Sequence, residues 1–404
     1  MGLSNTTPNA VDPFARTMAA LFDETKIVGV STAFQAFFGR AGTASETIYS
    51  PDANIVDIDI IRGKKKIAAL IPRGSVSRPL GSLQSNIASE RFSTFSRKFP
   101  LAEEEGDISA DQLTFRIAGE NPYEKMSRLD RMRYHALRIH TENIRRIIDM
   151  NELLASKSIL EGIQPAIIGT TDTNLQYDFR RSSGNIITVS VGWNQTSNDL
   201  LGDIDTGCDR VKQVGKAIPD IIAVGRNALD ALIKDTTVQT LADNRRFELI
   251  QVSREFPVPE KFNFMVENGW VAYGRLRTPK GHEVWIFINH EFYEDDTTVY
   301  PYMPLDQAFI ASSGARMDRH FGPPEMLPMI PQRVQLYQEL FGFDLNMAPM
   351  PMGAGSSGVI TPEMFYADAY VSGNWKRVTV RSQCAPVFAT TQTDAIVTLK
   401  GLVT

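Results

Sequence analysis

The feature that most constrains this chain is a single long helical pattern. Asn121 offers an N-cap side chain and Pro122 suits the first helical position. Met126, Leu129, Met132, Ala136, His140, Ile144, Ile147, Asn151 and Leu154 then recur every three or four residues and form one largely apolar face. Gly162 is a natural stop and Pro165 lies just beyond it. Some 40 residues of helix would run roughly 60 Å, several times the usual globular helix.

The segments before it have a different character. Val56, Ile58 and Ile60 alternate with Asp57 and Asp59, the period of a half-buried strand. Residues 62–98 then carry Arg62, Lys64, Lys65, Lys66, Arg73, Arg78, Arg91, Arg97 and Lys98 against one acid, Glu90, with many Gly, Ser and Pro. A stretch of that kind makes a poor core and projects as a basic hairpin. An acidic patch follows at once: Glu103, Glu104, Glu105 and Asp107. The first half of the long helix is basic again. Arg131, Arg138 and Arg145 are spaced by seven and lie near one stripe, with Arg128 close to it. The stripe is a solvated face, a surface for a neighbour's acids, or a surface for phosphate.

Beyond the helix, helices and strands mix. Ile187, Val189 and Val191 read as a strand, Ile221–Val224 as a short buried strand before a helix through Leu229, Leu232 and Ile233, and 284–288 as another buried strand. Residues 323–362 are rich in Pro, Met and Gly. The chain then closes on strands around Val378, Val380, Val387, Phe388, Val397 and Leu399.

Composition narrows the function. Hydrophobic residues make up 43% and charged residues 22%, enough for a sizeable core. A net charge of −5 argues against a strong global field for nucleic acid. Two cysteines, Cys208 and Cys384, exclude a disulfide framework and point to a reducing compartment. Apolar runs are too broken for a membrane span, and the first residues lack a secretion-signal pattern.

Catalytic spellings are weak. Asp205-Thr206-Gly207 matches an aspartic-protease turn, which needs a second carboxylate from a dimer and an apolar strand ahead of it; here Gly202-Asp203-Ile204 precedes it. His135 and His140 are five apart and share no face as metal ligands would. Asn289-His290-Glu291 with Asp295 and Asp296 reads as a polar turn before it reads as a metal site. No catalytic residue, metal or cofactor is expected.

The order of pieces is an arm, a strand, a basic hairpin, a very long helix, a mixed body and returning C-terminal strands. This order resembles the capsid fold shared by tailed phages and herpesviruses. The sequence itself resembles the phage major capsid protein E family, the lambda-like branch. The likeness is carried by Phe22-Asp23 and the aromatics Phe34–Phe38, Ile48-Tyr49 leading to Ile61, Arg128–Gly162 as the spine helix, and Trp193 with Asp199 opening a central helix. It continues through Ile221–Leu232, Trp285–Pro304, and the tail from Asn374-Trp375 to Arg381-Ser382-Gln383-Cys384-Ala385-Pro386.

The resemblance implies an α+β fold in four parts. These are an N-terminal arm (1–48), an extended-loop region (49–120), a peripheral domain with the spine helix (121–198 plus 359–404) and an axial domain (199–358). It implies a structural subunit that forms hexamers and pentamers of an icosahedral head around double-stranded DNA. Arg62, Lys64, Lys65, Lys66, Arg73, Arg78, Arg91 and Arg97 become candidates for an inter-subunit loop, and Arg128, Arg131, Arg138 and Arg145 for an inner face or an interface. Scaffolding, portal and decoration proteins are the implied further partners, with non-specific DNA contact and no membrane. The expected location is the virion capsid, and the host cytoplasm during assembly. A tail-tube or other self-assembling virion protein is the alternative, and a hydrolase using Asp205 a more distant one.

Overall fold

The computed structural model describes residues 32–40, 42–50, 55–63, 89–98, 100–109, 128–165, 176–243, 247–249, 258–295, 298–322, 366–371 and 377–403. In chain order the strands begin with β1 (Thr47–Tyr49), β2 (Ile55–Gly63), β3 (Ser89–Lys98) and β4 (Ala102–Ser109). The long helix α1 (Arg128–Glu161) is followed by β5 (Ile163–Pro165), β6 (Gln176–Asp178) and β7 (Ile186–Thr188). Then come α2 (Leu200–Gln213), β8 (Ile221–Val224), α3 (Arg226–Lys234), α4 (Thr236–Asp243), β9 (Phe247–Leu249) and α5 (Asn263–Glu267). The remaining strands are β10 (Val271–Arg277), β11 (Glu283–Ile288), β12 (Phe292–Asp295), β13 (Thr298–Pro301), β14 (Ala308–Ala311), β15 (Asp318–Phe321), β16 (Tyr366–Val371), β17 (Arg377–Cys384), β18 (Pro386–Ala389) and β19 (Ile396–Lys400).

These elements fall into two compact units, one with residues 101–148 and 324–385, the other with 31–100, 149–323 and 386–404. The first unit holds a three-stranded antiparallel sheet in the order β16-β17-β4 and the N-terminal part of α1. Alternation decides which way β4 faces. Ile108 is buried with Val380 and the helix residues Ala136 and Ile139, whereas Glu103, Glu105 and Asp107 are exposed. Polar bonds fix the helix on the sheet: Asn143 Nδ2 donates to the Glu104 and Val380 carbonyls at 3.1 and 3.3 Å. His140 Nδ1 and Ser382 Oγ lie 2.8 Å apart, both buried.

The second unit is built on a seven-stranded mixed sheet, β7-β19-β14-β8-β11-β10-β9. Its central strands are buried on both sides, so successive residues serve two cores. Ile221, Ala223, Phe287, Phe309 and Ile396 join one cluster; Ile222, Val224, Ile286, Ile310 and Val397 join the other. The first cluster is covered by the C-terminal part of α1 (Leu153, Leu154, Ile159) and by Phe34, Phe37 and Phe38. The second is covered by α2 and α3 through Ile204, Cys208, Val211 and Leu232. A Cβ on Gly207 would lie 2.5 Å from Ile310 Cδ1, so the glycine lets α2 sit close to the sheet.

Two charged groups hold α1 in this unit. Glu152 is fully buried, and its carboxylate accepts the backbone N–H groups of Phe34 at 2.6 Å and Gln35 at 3.0 Å. At the C-terminus Gly162 takes the left-handed conformation (φ +73°), as the sequence leads one to expect. There Arg181 donates to the last helical carbonyls, Ser158 and Leu160 at 3.2 Å each and Ile159 at 2.7 Å. Thr398 on β19 receives a further bond from Arg181 and donates to Leu160 O at 2.8 Å. Burial lowers the Arg181 pKa to about 10, with Asp394 and Glu161 opposing that fall, so the group stays charged at neutral pH.

The start expected at Asn121 lies outside the described residues, and the strand expected at Ile187–Val191 is shorter, Ile186–Thr188.

Replacing Arg181 with Met removes the side-chain donor of Ile159 O, while Ser158 O keeps the Gly162 N–H and Leu160 O keeps Thr398 Oγ1. A loss of about 1–3 kcal/mol is expected, read as a lower melting temperature, with Arg181→Lys recovering part of it. A second prediction concerns acid. Burial pushes His140 down to about 4, below its ordinary value of about 6.5. The unfolded chain therefore takes up this proton more readily. Stability should be full above pH ~6.5 and fall by about 3 kcal/mol as pH drops towards 4. His140→Gln should flatten that slope in melts run across the same range.

Candidate assembly surfaces

Three surfaces gather the charged residues singled out in the sequence. The first is the β2–β3 hairpin. Its ladder pairs Ile55 with Lys98, Val56 with Arg97 and Ile58 with Phe95; a bulge follows Ile60, after which Ile61 meets Arg91 and Arg62 meets Glu90. One face of β2 is sunk into the second unit: Val56 and Ile58 pack with Tyr177, Phe179, Val387 and Ala389. Ile61 N–H also donates to Thr391 O at 3.0 Å. The hairpin is thus rooted by an apolar foot, and the chain between its strands spans 64–88. Arg62, Arg91 and Arg97 stand on the paired strands; Lys64, Lys65, Lys66, Arg73 and Arg78 lie outside the described residues.

The second surface is the outer face of β4. Register sets Glu103, Glu105 and Asp107 opposite Gln383, Arg381 and Thr379. Part of this charge is answered within the chain. Gln383 donates to Glu103, Arg381 lies 3.7 Å from it, and Thr379 Oγ1 donates to Asp107 at 2.6 Å. The face remains exposed and acidic.

The third surface is α1. Arg128 and Arg131 lie on its first turns, Arg138 is exposed, and Arg145 is half-buried with Glu142 at 4.0 Å. Arg146, which the sequence stripe left out, reaches Glu104 at 3.4 Å and Glu142 at 3.8 Å. A helix arginine therefore already meets one acid of β4 within the first unit.

The catalytic spellings dissolve. Asp205-Thr206-Gly207 lies inside α2, not on a turn after a strand. Thr206 Oγ1 donates to Gly202 O at 2.7 Å, one helical turn back, and Gly207 is the packing glycine against Ile310. In the polar segment after β11, Asn289 Oδ1 accepts Glu291 N–H at 2.6 Å and closes a turn. Among the described residues no group of three metal-ligating side chains converges. Burial, with Asp205 and Asp209 nearby, pushes the Cys208 thiol up to about 12, far from a nucleophile's range.

Sequence reasoning missed two kinds of residue. Glu152 and Arg181 are charged side chains given to the interior, which no periodicity marks. Phe292, Val299 and Tyr300 on β12–β13 are exposed although apolar; the Trp285–Pro304 aromatic run was the one signal for them.

A long helix on a small antiparallel sheet, a rooted basic hairpin and a mixed sheet with helices on both faces together make the α+β capsid fold of tailed phages. Comparison with solved structures supports this. The chain superposes on a protein assigned as the capsid protein of a prophage in E. coli CFT073, with TM-score 0.54, 16% identity, and coverage of 96% of this chain and 98% of that one. Weaker likenesses are to a phage-related protein of Bordetella bronchiseptica RB50 (TM-score 0.43, 8% identity, 98% and 99% covered) and to a virus-like particle from Pyrococcus furiosus (0.38, 9%, 92% and 97%). No curated protein sequence matches the chain. The profile of "Phage major capsid protein E" matches residues 34–400, and the chain belongs to that family. It is a structural protein of the virion capsid that works by associating with copies of itself, and it is not an enzyme.

Proposed function

We propose that the chain builds the hexamers and pentamers of an icosahedral head enclosing double-stranded DNA. Closed point-group assembly leaves no open contact surface at the end of growth. In this reading residues 1–48 are the arm, 49–120 the extended-loop region, 121–198 with 359–404 the peripheral domain, and 199–358 the axial domain. A scaffolding protein, a portal and a decoration protein are its further partners, and assembly takes place in the host cytoplasm.

The observation that carries the proposal is the β2–β3 hairpin, anchored at its apolar foot and basic in sequence from Arg62 to Lys98. A basic segment rich in Gly, Ser and Pro makes a poor core and would gain its stability from a neighbour. The exposed acids Glu103, Glu105 and Asp107 offer that neighbour's surface the right sign. Exposed pairs contribute on the order of 0–1 kcal/mol each, so the contact depends on repetition around a shell. Negative-stain electron microscopy of the purified protein should show closed particles. Deleting 64–88, which spares both paired strands, should leave a soluble, folded subunit without closed shells; normal particles from that deletion would end the idea.

The arginine stripe of α1 has two readings. It meets DNA phosphates without reading bases, or it meets acids of an adjacent subunit. The approach of Arg145 to Glu142 at 4.0 Å supports the second, since it puts a stripe arginine beside a carboxylate. Changing Arg131 and Arg138 to Glu is expected to abolish shell assembly in the absence of DNA. Normal empty shells with impaired DNA retention would assign the stripe to the genome.

A further inference from the structure

Among the described residues eight large hydrophobic side chains are exposed, and five of them gather at one end of the seven-stranded sheet: Val266, Val271, Phe292, Val299 and Tyr300. The topology brings them together. Val271 opens β10 and pairs with Ile288, the last residue of β11, and β12 starts four residues later. Val266 lies on α5, directly ahead of β10. In the β12–β13 hairpin Phe292 pairs with Pro301 and Glu294 with Val299, so Phe292 and Val299 share a face. The other face is a tyrosine stack. Tyr293 lies 5.6 Å from Tyr300 and 5.1 Å from buried Tyr302, whose hydroxyl donates to Asp149 O at 3.3 Å. The hairpin is held from behind and presents apolar side chains in front. Exposed Glu267, Glu291 and Glu294, against Arg226, give this end an acidic rim.

The opposite end of the same sheet carries the complement. β8 and β11 run parallel and both begin there. Ile218, three residues before β8, is 74% exposed, the most of any large hydrophobic side chain described. Lys212, Lys216 and Arg277 stand at that end beside Glu260, while Lys261 and Lys280 are held in ion pairs with Asp220 and Asp209 at 2.8 Å each and Arg275 with Glu283 at 2.9 Å.

We infer that the β12–β13 hairpin of one copy docks on the Ile218 loop of a second copy. The two ends are different, as a head-to-tail ring contact requires. They are complementary in charge at the rim and apolar at the centre, which is how stable interfaces are arranged. An exposed apolar patch on a chain that self-associates needs such a cover. The inference rests on the assembly reading above and adds to it which surfaces meet.

The test joins the two surfaces covalently in assembled particles. A Val299→Cys, Ile218→Cys double variant, mildly oxidised, should run on a non-reducing denaturing gel as a ladder of linked copies. Each single variant should run as monomer, because Cys208 and Cys384 are buried. Separately, Phe292→Asp should lower particle yield at least about tenfold, the effect of roughly 1.4 kcal/mol per contact, while the subunit keeps its melting temperature. Particles that form normally from the double variant yet give monomer only, or full yield from Phe292→Asp, would overturn the pairing and leave the assembly reading standing. Failure of the unaltered protein to form particles would remove both.

Discussion

A helix of 34 residues can end inside a protein core only if its last carbonyls find donors. Here the donor is one guanidinium. Arg181 gathers the carbonyls of Ser158, Ile159 and Leu160, and Thr398 shares the work from the C-terminal strand β19. Three distant parts of the chain are thereby set against each other: the helix end, the loop before β7 and the closing strand. The cost is desolvation of a charge, visible as a pKa lowered to about 10. The gain is that α1 stops at a defined residue and that β19 enters the sheet in register with β14 and β7. Glu152 does the corresponding work one face away, answering the first N–H groups of the Phe34–Phe38 turn. A buried charge of either sign costs several kcal/mol unless bonded. Both are bonded to backbone, which is the part of the chain least able to rearrange.

How far the sequence could be read follows from this. Periodicity reports which way a residue faces when its face is uniform. Val56, Ile58 and Ile60 gave β2, Ile221–Val224 gave β8 and 284–288 gave β11, because one-sided or two-sided burial leaves period two or a continuous apolar run. Gly162 marked the helix end because only a residue tolerant of positive φ stands there cheaply. Glu152 and Arg181 were illegible for the opposite reason. Each is a polar letter at a buried position, and its partner is a backbone group more than twenty residues away or on another element. Asp205-Thr206-Gly207 misled through spelling: three residues define a turn only if the chain around them is not helical, and Asp199 caps a helix that runs straight through them.

The surfaces were legible as charge and illegible as geometry. The basic run at 62–98 and the acids at 103–107 stand out in composition. That alternate residues of β4 face opposite ways, leaving Glu103, Glu105 and Asp107 outward while Ile108 goes in, depends on the pairing with β17. The exposed apolar hairpin depends on a fact no local pattern carries: Tyr293 and Tyr302 take the inner side, so Phe292 and Val299 are left with the outer one.

These surfaces share a physical economy suited to a shell subunit. Each polar contact is solvent-exposed and contributes little alone. Apolar patches are a few side chains in extent, well short of a permanent interface. A subunit with one strong interface would trap misplaced copies before a shell could close. One with several weak, dissimilar interfaces can detach and try again, and becomes stable only when all are satisfied together. Net charge fits the same logic. At −5 the chain repels its own kind at a distance, so that in the proposed pairings association waits for opposed local patches. The strength of the closed assembly then comes from the number of contacts made at once, while the specificity of each comes from the alternation of strands that decides which side chains face out.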